Sequence, residues 1–208
     1  MRCWVRCGFT LAVIGVVLVH SASAVEPQAS SAEEMAELQA RMMELAKPGD
    51  GHERLTKLAG SWIGTTQMFG APNATPLILT GDCQNRMILG GRFLLSECGS
   101  GTAFSSEPMQ SHTLKGFDRR HGRYTVVGFD NLGTYYVTAE GVWDSEQQAI
   151  VTSGNDHDPA TGITQSYDII IRIVSGDEYV VEVWFKNPEL FSGHERFKMV
   201  EATYTRNR

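Results

Sequence analysis

The segment GDCQNRMILGGRFLLSECGS, residues 81–100, decides the fold because it describes a β-hairpin. Gly90 and Gly91 lie at its centre, and paired glycines readily take the positive φ angles of a tight two-residue turn. With that turn, residues whose numbers sum to 181 face each other, and Cys83 therefore faces Cys98. Opposed Cα atoms in an antiparallel pair lie about 4.5–5.5 Å apart, within disulfide range. We predict a disulfide here, with two buried free thiols as the alternative.

The first 24 residues have the three parts of a secretory signal peptide. Two arginines and a run of about a dozen apolar residues lead to Ala22-Ser23-Ala24, a small-x-small cleavage site. The apolar run is shorter than the roughly 20 residues that span a bilayer, which favours cleavage over a retained membrane anchor. Cleavage would place Cys83 and Cys98 in a periplasmic or secreted protein, where disulfides persist.

The sequence predicts three regions: a signal peptide over 1–24, an N-terminal helix and linker over 25–51, and a β-barrel domain over 52–208. The leader removes two of the 18 basic residues and none of the 24 acidic ones, so the mature net charge is 16 minus 24, or −8. An acidic surface disfavours nucleic acid and anionic membranes as partners. No second apolar run is long enough to span a bilayer, and the oligomeric state stays open.

Two short helices are expected before the strands. Ser31 and Glu34 fit a capping box for the first helix, and Asp50 and Glu53 fit one for the second. The first helix has an apolar face that we expect to pack on the domain rather than to bind a partner. That face consists of Met35, Leu38, Met42 and Leu45.

From Ser61 onward, short β-rich runs alternate with turns rich in Asp and Gly. The ten predicted strands are SWIGTTQMF, LILTGDCQNRMIL, RFLLSECGS, HTLKGFD, RYTVVGFDN, TYYVTAEGVW, QAIVTSG, ITQSYDIIIRIV, EYVVEVWFK and FKMVEATYTR. Almost every connection has hairpin length, which predicts an all-β antiparallel meander. Closing the meander removes its edge strands, so the expected fold class is a closed barrel of about ten strands with a short N-terminal helical segment.

Several short motifs occur in a fixed order. They are HERLTKLAGSWIG at 52–64, LGGRFL at 89–94, GFD at 116–118 and 128–130, and a final Y-x-R at 204–206. In this order they resemble the bacterial family called domain of unknown function 1579, over nearly the whole mature domain. The resemblance implies a calycin-like barrel. It supplies no activity, because that family is uncharacterised.

The G-x-W opening followed by a late arginine is also similar to the lipocalin signature. This resemblance implies that Trp62 fills one end of the barrel and that Arg206 stacks over it. A guanidinium on an indole is a cation–π contact worth about 1 kcal/mol or more when partly buried. We expect these two residues to close the barrel, with ligand contact as the alternative role.

Motifs for catalysis and metal binding are mostly missing from the sequence. HERLT and HERFK begin like the zinc motif H-E-x-x-H, but their fifth residues are Thr56 and Lys198. Asp156-His157-Asp158 offers oxygens to a hard cation, yet the following Pro-Ala-Thr-Gly reads as an ordinary turn. A haem site would need a histidine facing a cavity, for which His194 is the candidate. We predict no metal, no cofactor and no catalytic residue.

Three functions remain open, and the favoured one is binding of a small, mostly apolar ligand inside the barrel. The second is a cavity enzyme, a hydrolase or isomerase using inward carboxylates such as Glu140 and Glu201. The third is a barrel filled by side chains, with a structural or interaction role in the envelope. Each aromatic candidate could instead be ordinary core, and Glu140 could face solvent. The candidate ligand-binding residues are Phe129, Tyr136, Glu140 and Tyr167.

Overall fold

The structure, a computed structural model, describes residues 31–102, 107–187 and 195–208. The predicted signal peptide and His194 lie outside the described residues. Across the part of the chain that is described, no helix combines the length and apolarity needed to cross a membrane.

Ten antiparallel strands close into one barrel, in which each strand pairs with the next along the chain and β1 pairs with β10. The predicted fold class, a closed meander of ten strands, is confirmed. Pairing of sequence neighbours follows from hairpin-length connections, and closure satisfies the backbone groups of the first and last strands. The strands are β1 Gly60–Met68, β2 Leu77–Ile88, β3 Phe93–Ser100, β4 Gln110–Asp118, β5 Arg123–Asp130, β6 Val137–Asp144, β7 Ala149–Asp158, β8 Ile163–Ile173, β9 Glu178–Phe185 and β10 Phe197–Arg206.

Strand bounds differ most from the prediction in β6 and β7. β6 begins at Val137 rather than Thr134. β7 continues through Asp158, whereas the prediction ends at Gly154. The added residues of β7 pair with 163–166 on β8, so the ladder continues although their side chains are polar. Strand pairing is a property of the backbone, and turn-like side chains at the end of a hairpin do not prevent it.

The hairpin of β2 and β3 has the predicted register and a longer turn. Ile88 pairs with Phe93, so opposed residue numbers still sum to 181. Residues 89–92 form a four-residue loop in place of the predicted two-residue turn, and the first three have φ angles of 50°, 67° and 83°. The Ile88 carbonyl accepts hydrogen bonds from the last two N–H groups of the loop, each at 3.1 Å. Adding one residue to each side of the turn leaves the register unchanged.

The predicted disulfide is confirmed. Cys83 and Cys98 are directly opposed in the β2–β3 ladder and are joined by a disulfide, with their Cα atoms 4.0 Å apart. Cys83 is buried. The bridge thus links two neighbouring strands from inside the barrel.

Two helices precede the barrel, α1 Ala32–Leu45 and α2 Asp50–Thr56. The predicted capping box of α1 is present: the Ser31 N–H donates to the Glu34 carboxylate at 2.7 Å, and the Glu34 N–H donates to the Ser31 hydroxyl at 3.2 Å. The box predicted for α2 is wrong. α2 starts one residue earlier, with Gly49 as its N-cap, and the Gly49 N–H donates to His52 Nδ1 at 3.1 Å.

The chain divides into two units within α1, between Leu38 and Gln39. The second unit holds the end of α1, α2 and all ten strands. In this unit Met42 is 63% exposed and Leu45 is half-buried, so of these two residues of the apolar face only Leu45 packs on the domain. Arg92 and Arg119 donate to main-chain carbonyls of residues 44–47, which fixes the end of α1 to the turns after β2 and β4.

Candidate functional site

One end of the barrel interior is closed by α2 and an aromatic cluster. Leu55 and Leu58 are buried, and the Leu58 carbonyl accepts a hydrogen bond from Trp62 Nε1 at 2.9 Å. The Trp62 ring meets the Tyr179 ring edge-on, with centroids 4.7 Å apart. Tyr179 stacks in turn on Tyr204, with centroids 4.6 Å apart. This closed end is a packed core.

Arg206 lies over the Trp62 ring, with its guanidinium carbon 4.2 Å from the ring centroid. Its Nη1 donates to the Ala59 carbonyl at 3.1 Å, and its Nε donates to the Gly176 carbonyl at 3.0 Å. Arg206 therefore connects β10, the segment before β1 and the turn between β8 and β9. The sequence predicts that Trp62 and Arg206 close the barrel. If they do, Arg206 should stabilise the fold, and unfolding of Arg206 variants can test this.

Beyond the closed end, the interior is hollow. An inner cavity of about 170 Å³ adjoins an outer cavity of about 180 Å³. The two share part of their walls, formed by Cys98, Ser111, Val181 and Tyr204. The disulfide forms part of the wall of the inner cavity, whose apolar residues include Val126, Val137, Ile169, Ile171, Val181 and Val183.

Lys115 projects into the inner cavity from the middle of β4. It pairs in the sheet with Leu94 on one side and Val126 on the other, and both are buried. Lys115 is itself only 8% exposed, and its Nζ donates to the Ser96 hydroxyl at 2.8 Å. Among the described residues that line the inner cavity, none carries a carboxylate. A buried amine therefore faces a mostly apolar space, and the walls of the inner cavity offer it no acidic partner among the described residues.

The Lys115 amine has an unusual titration. Burial disfavours its charged form and lowers its pKa from 10.5 to about 7. Burial also raises the pKa values of the neighbouring phenols Tyr179 and Tyr204, so both stay neutral at physiological pH. Lys115 is thus a cavity group whose charge changes close to neutral pH.

Lys115 and Ser96 are not among the site residues predicted from the sequence. A usable signal was present in the β4–β5 hairpin, where Asp118 pairs with Arg123 across the turn. In that register Lys115 lies opposite Val126, which belongs to an apolar stretch of β5. A lysine that lies opposite an inward-facing apolar residue in the sheet is expected to direct its amine into the barrel as well.

The structure does not bring the four candidate ligand-binding residues together. Tyr167 is buried in the interior, where its hydroxyl donates to the Thr138 carbonyl at 3.0 Å. Phe129 and Tyr136 are 47% and 65% exposed, and both line a hollow on the outer surface. Glu140 is exposed on β6. None of the four lines the inner or the outer cavity.

Strand alternation explains why Phe129 lies outside. In β5 the residues facing the inner cavity are Val126 and Gly128, so Phe129 points to the opposite face. There its ring stacks on the His112 ring from β4, with centroids 5.6 Å apart and planes 4° from parallel.

The carboxylates suggested for a cavity enzyme also lie elsewhere. Glu201 pairs with Lys198 on β10, and Lys198 also binds Glu182 at 2.7 Å. Burial opposes ionisation of Glu182, but the hydrogen bonds and charges of its neighbours, Lys198 foremost, together outweigh it and lower the pKa of this carboxyl. Neither glutamate lines the inner or the outer cavity. This cluster is an ion-pair network on the outer face.

Asp156, His157 and Asp158 lie at the end of the β7–β8 hairpin. His157 Nδ1 is 3.0 Å from the Thr164 hydroxyl, and the Asp158 carboxylate accepts hydrogen bonds from the Ala160 N–H and the Thr161 hydroxyl, each at 2.8 Å. Within residues 31–102, 107–187 and 195–208, no group of three His, Cys, Asp or Glu side chains is placed to hold a metal ion.

Comparison with solved structures shows the same fold in a distant protein. Rv2717c from M. tuberculosis superposes with a TM-score of 0.54 at 16% sequence identity, covering 78% of this chain and 100% of that one. A redesigned β-barrel aligns with a TM-score of 0.40 at 10% identity, covering 74% and 96%. No curated protein matches the sequence. At such low identity the likeness to Rv2717c shows the fold alone, and the calycin-like label stays a prediction.

Comparison with protein families gives a match over residues 47–206, which span α2 and all ten strands. The matching family is described as "Protein of unknown function (DUF1579)". Of the residues that carry the resemblance in the sequence, Leu55, Leu58, Trp62 and Arg206 lie at the closed end described above. The chain belongs to the DUF1579 family.

Proposed function

We propose that this protein is an exported barrel that binds one small, mostly apolar molecule in its interior. The observation that carries the proposal is the pair of adjoining cavities beyond the closed end, with their mostly apolar walls. Sites for small molecules are typically concave and apolar with a few polar groups, and small barrels can enclose one such ligand. A barrel filled by side chains would have large residues in this space.

Binding accounts for the interior better than acid–base catalysis does. In the described walls of the inner cavity there is neither a carboxylate nor a histidine, the usual groups for proton transfer. The glutamates considered for catalysis, Glu140 and Glu201, line neither cavity.

Export is part of the proposal. The disulfide between Cys83 and Cys98 supports it, because disulfides persist in oxidising compartments and are rare in the cytosol. The signal-peptide pattern over residues 1–24 points the same way. A periplasmic or secreted location would bring the barrel into contact with small molecules outside the cytoplasm.

Native mass spectrometry of protein purified from the exported fraction tests the proposal. We expect a small-molecule adduct that is lost on denaturation. Val181 lines both cavities, so Val181→Trp should fill the space and remove the adduct. Val142→Trp is the matched control, because Val142 is exposed and should leave the adduct in place. A bare wild-type chain, or an adduct that survives Val181→Trp, would contradict the proposal.

A further inference from the structure

We propose that the inner cavity binds a molecule with a carboxylate head and a short apolar chain, and that Lys115 pairs with the carboxylate. The inference rests on the proposed function and names the class of ligand. Its starting observation is the buried amine, which has a hydroxyl partner in Ser96 and faces walls without a carboxylate among the described residues.

The cavity is polar on one side and apolar on the other. Ser96 and Thr113 are directly opposed on β3 and β4, next to Lys115, and all three line the inner cavity. Val181 and Ile169 line it from β9 and β8. A ligand that matches both sides has a hydrogen-bonding head toward β3–β4 and an aliphatic part toward β8–β9.

The charge of the head follows from electrostatics. A buried ammonium group is stable only when it is paired, and its own walls supply no anion. A ligand carboxylate would provide the counter-ion and accept a charge-assisted hydrogen bond from Nζ, while the Ser96 hydroxyl keeps the amine oriented. A neutral head would leave the ammonium unpaired, and a cationic head would repel it.

Covalent capture of an aldehyde by Lys115 fits the same walls less well. Forming an imine requires proton transfer to expel water, which enzymes usually assign to a carboxyl or imidazole group. The described lining of the inner cavity offers neither, and its phenols Tyr179 and Tyr204 are held neutral by burial. Ion pairing needs no such group.

The proposal predicts proton uptake on binding. In the empty cavity the Lys115 amine loses its charge above pH 7, and a bound carboxylate would restore it. Affinity for a carboxylate should therefore be highest below pH 7 and should fall by about tenfold per pH unit above it. Affinity for an uncharged molecule of the same chain length should not follow this dependence.

Isothermal titration calorimetry of the purified, disulfide-bonded protein with octanoate, octanol and octylamine provides the test. At pH 6 we expect octanoate to bind at least about tenfold more tightly than octanol, the size of one charge-assisted hydrogen bond, and octylamine to bind most weakly. Lys115→Met should abolish this preference, so that octanoate binds no more tightly than octanol. Lys57→Met, which alters an exposed lysine, should retain the preference.

The outcomes separate this inference from the proposed function. If octanol and octanoate bind equally to the wild type, or if Lys115→Met leaves octanoate affinity unchanged, the pairing with Lys115 is wrong while ligand binding stands. If none of the three compounds binds to any of these proteins, the proposed function fails together with the inference. A preference for octylamine would also overturn the assignment of a carboxylate.

Discussion

At the scale of a single residue, Lys115 is a buried amine that costs the fold stability. A lysine that pairs with Leu94 and Val126 in a sheet has lost nearly all contact with water. One hydrogen bond to Ser96 replaces only part of that hydration. Residues that are poorly accommodated in a fold are often found at functional sites, which is a reason to look for function here.

The cost can be measured through its pH dependence. The folded pKa of Lys115, about 7, lies below its unfolded value of 10.5, so between these values the unfolded chain binds the extra proton and stability rises with pH. The gain in stability from Lys115→Met should therefore be larger at pH 6 than at pH 9, by about 3 kcal/mol. Urea unfolding at the two pH values measures both gains.

Lys57→Met is the matched control for this prediction, because Lys57 is exposed. Its effect on the unfolding free energy should be small and equal at pH 6 and pH 9. A gain for Lys115→Met that does not change with pH would show that the amine is not desolvated in the folded protein.

At the scale of the element, the β2–β3 hairpin is held by its strand pairing and by the disulfide between the two strands. The ladder itself sets Cys83 opposite Cys98, and the bond then closes a loop with a sequence separation of 15 residues. Replacing both cysteines by alanine should lower the unfolding free energy by about 3 kcal/mol, because the unfolded chain regains the entropy of that loop.

Chemical denaturation with and without reductant checks this value. The reduced wild type should unfold at the same denaturant concentration as the Cys83→Ala/Cys98→Ala variant, and reductant should not affect the variant. If both proteins unfold at the midpoint of the oxidised wild type, the disulfide contributes no stability.

Two glycines in the same hairpin offer a second test of the local geometry. A Cβ atom at Gly81 would lie 1.8 Å from the Gly99 carbonyl oxygen, because β3 approaches the backbone closely there. A Cβ atom at Gly99 would meet nothing within 4 Å. Gly81→Ala should therefore cost about 1–3 kcal/mol through displacement of the strand, and Gly99→Ala should be close to neutral. Thermal or urea unfolding of the two variants compares them, and equal effects would contradict the close approach.

Elements could be predicted well from the sequence because the signals are local. The Asp- and Gly-rich turns mark hairpins, and an index sum of 181 sets the register of β2 and β3 even though the turn between them is longer than expected. The site could not be predicted in the same way. Alternation indicates two faces of a strand but not which one turns inward, and in β5 the inward face carries Val126 rather than Phe129.

At the scale of the whole molecule, the barrel has one packed end and a hollow middle. The aromatic cluster of Trp62, Tyr179 and Tyr204 separates the inner cavity from α2. This cluster draws on β1, β9 and β10, so it forms only after the first and last strands have paired. The cavity is a consequence of closure, and it exists only in the complete barrel.

Arg206 joins the parts of the chain that meet at this end, and its removal should therefore weaken the whole barrel. Arg206→Met loses the contact with Trp62, worth about 1 kcal/mol, and hydrogen bonds to the Ala59 and Gly176 carbonyls that contribute about 1 kcal/mol each. We expect the unfolding free energy to fall by about 2–3 kcal/mol in a single cooperative transition. Arg208→Met removes an exposed ion pair with Asp177 and should cost at most about 1 kcal/mol. Equal unfolding midpoints for the two variants would show that Arg206 does not close the barrel, whereas a larger loss confined to Arg206→Met would support its role in closure through the contact with Trp62 and the two hydrogen bonds together.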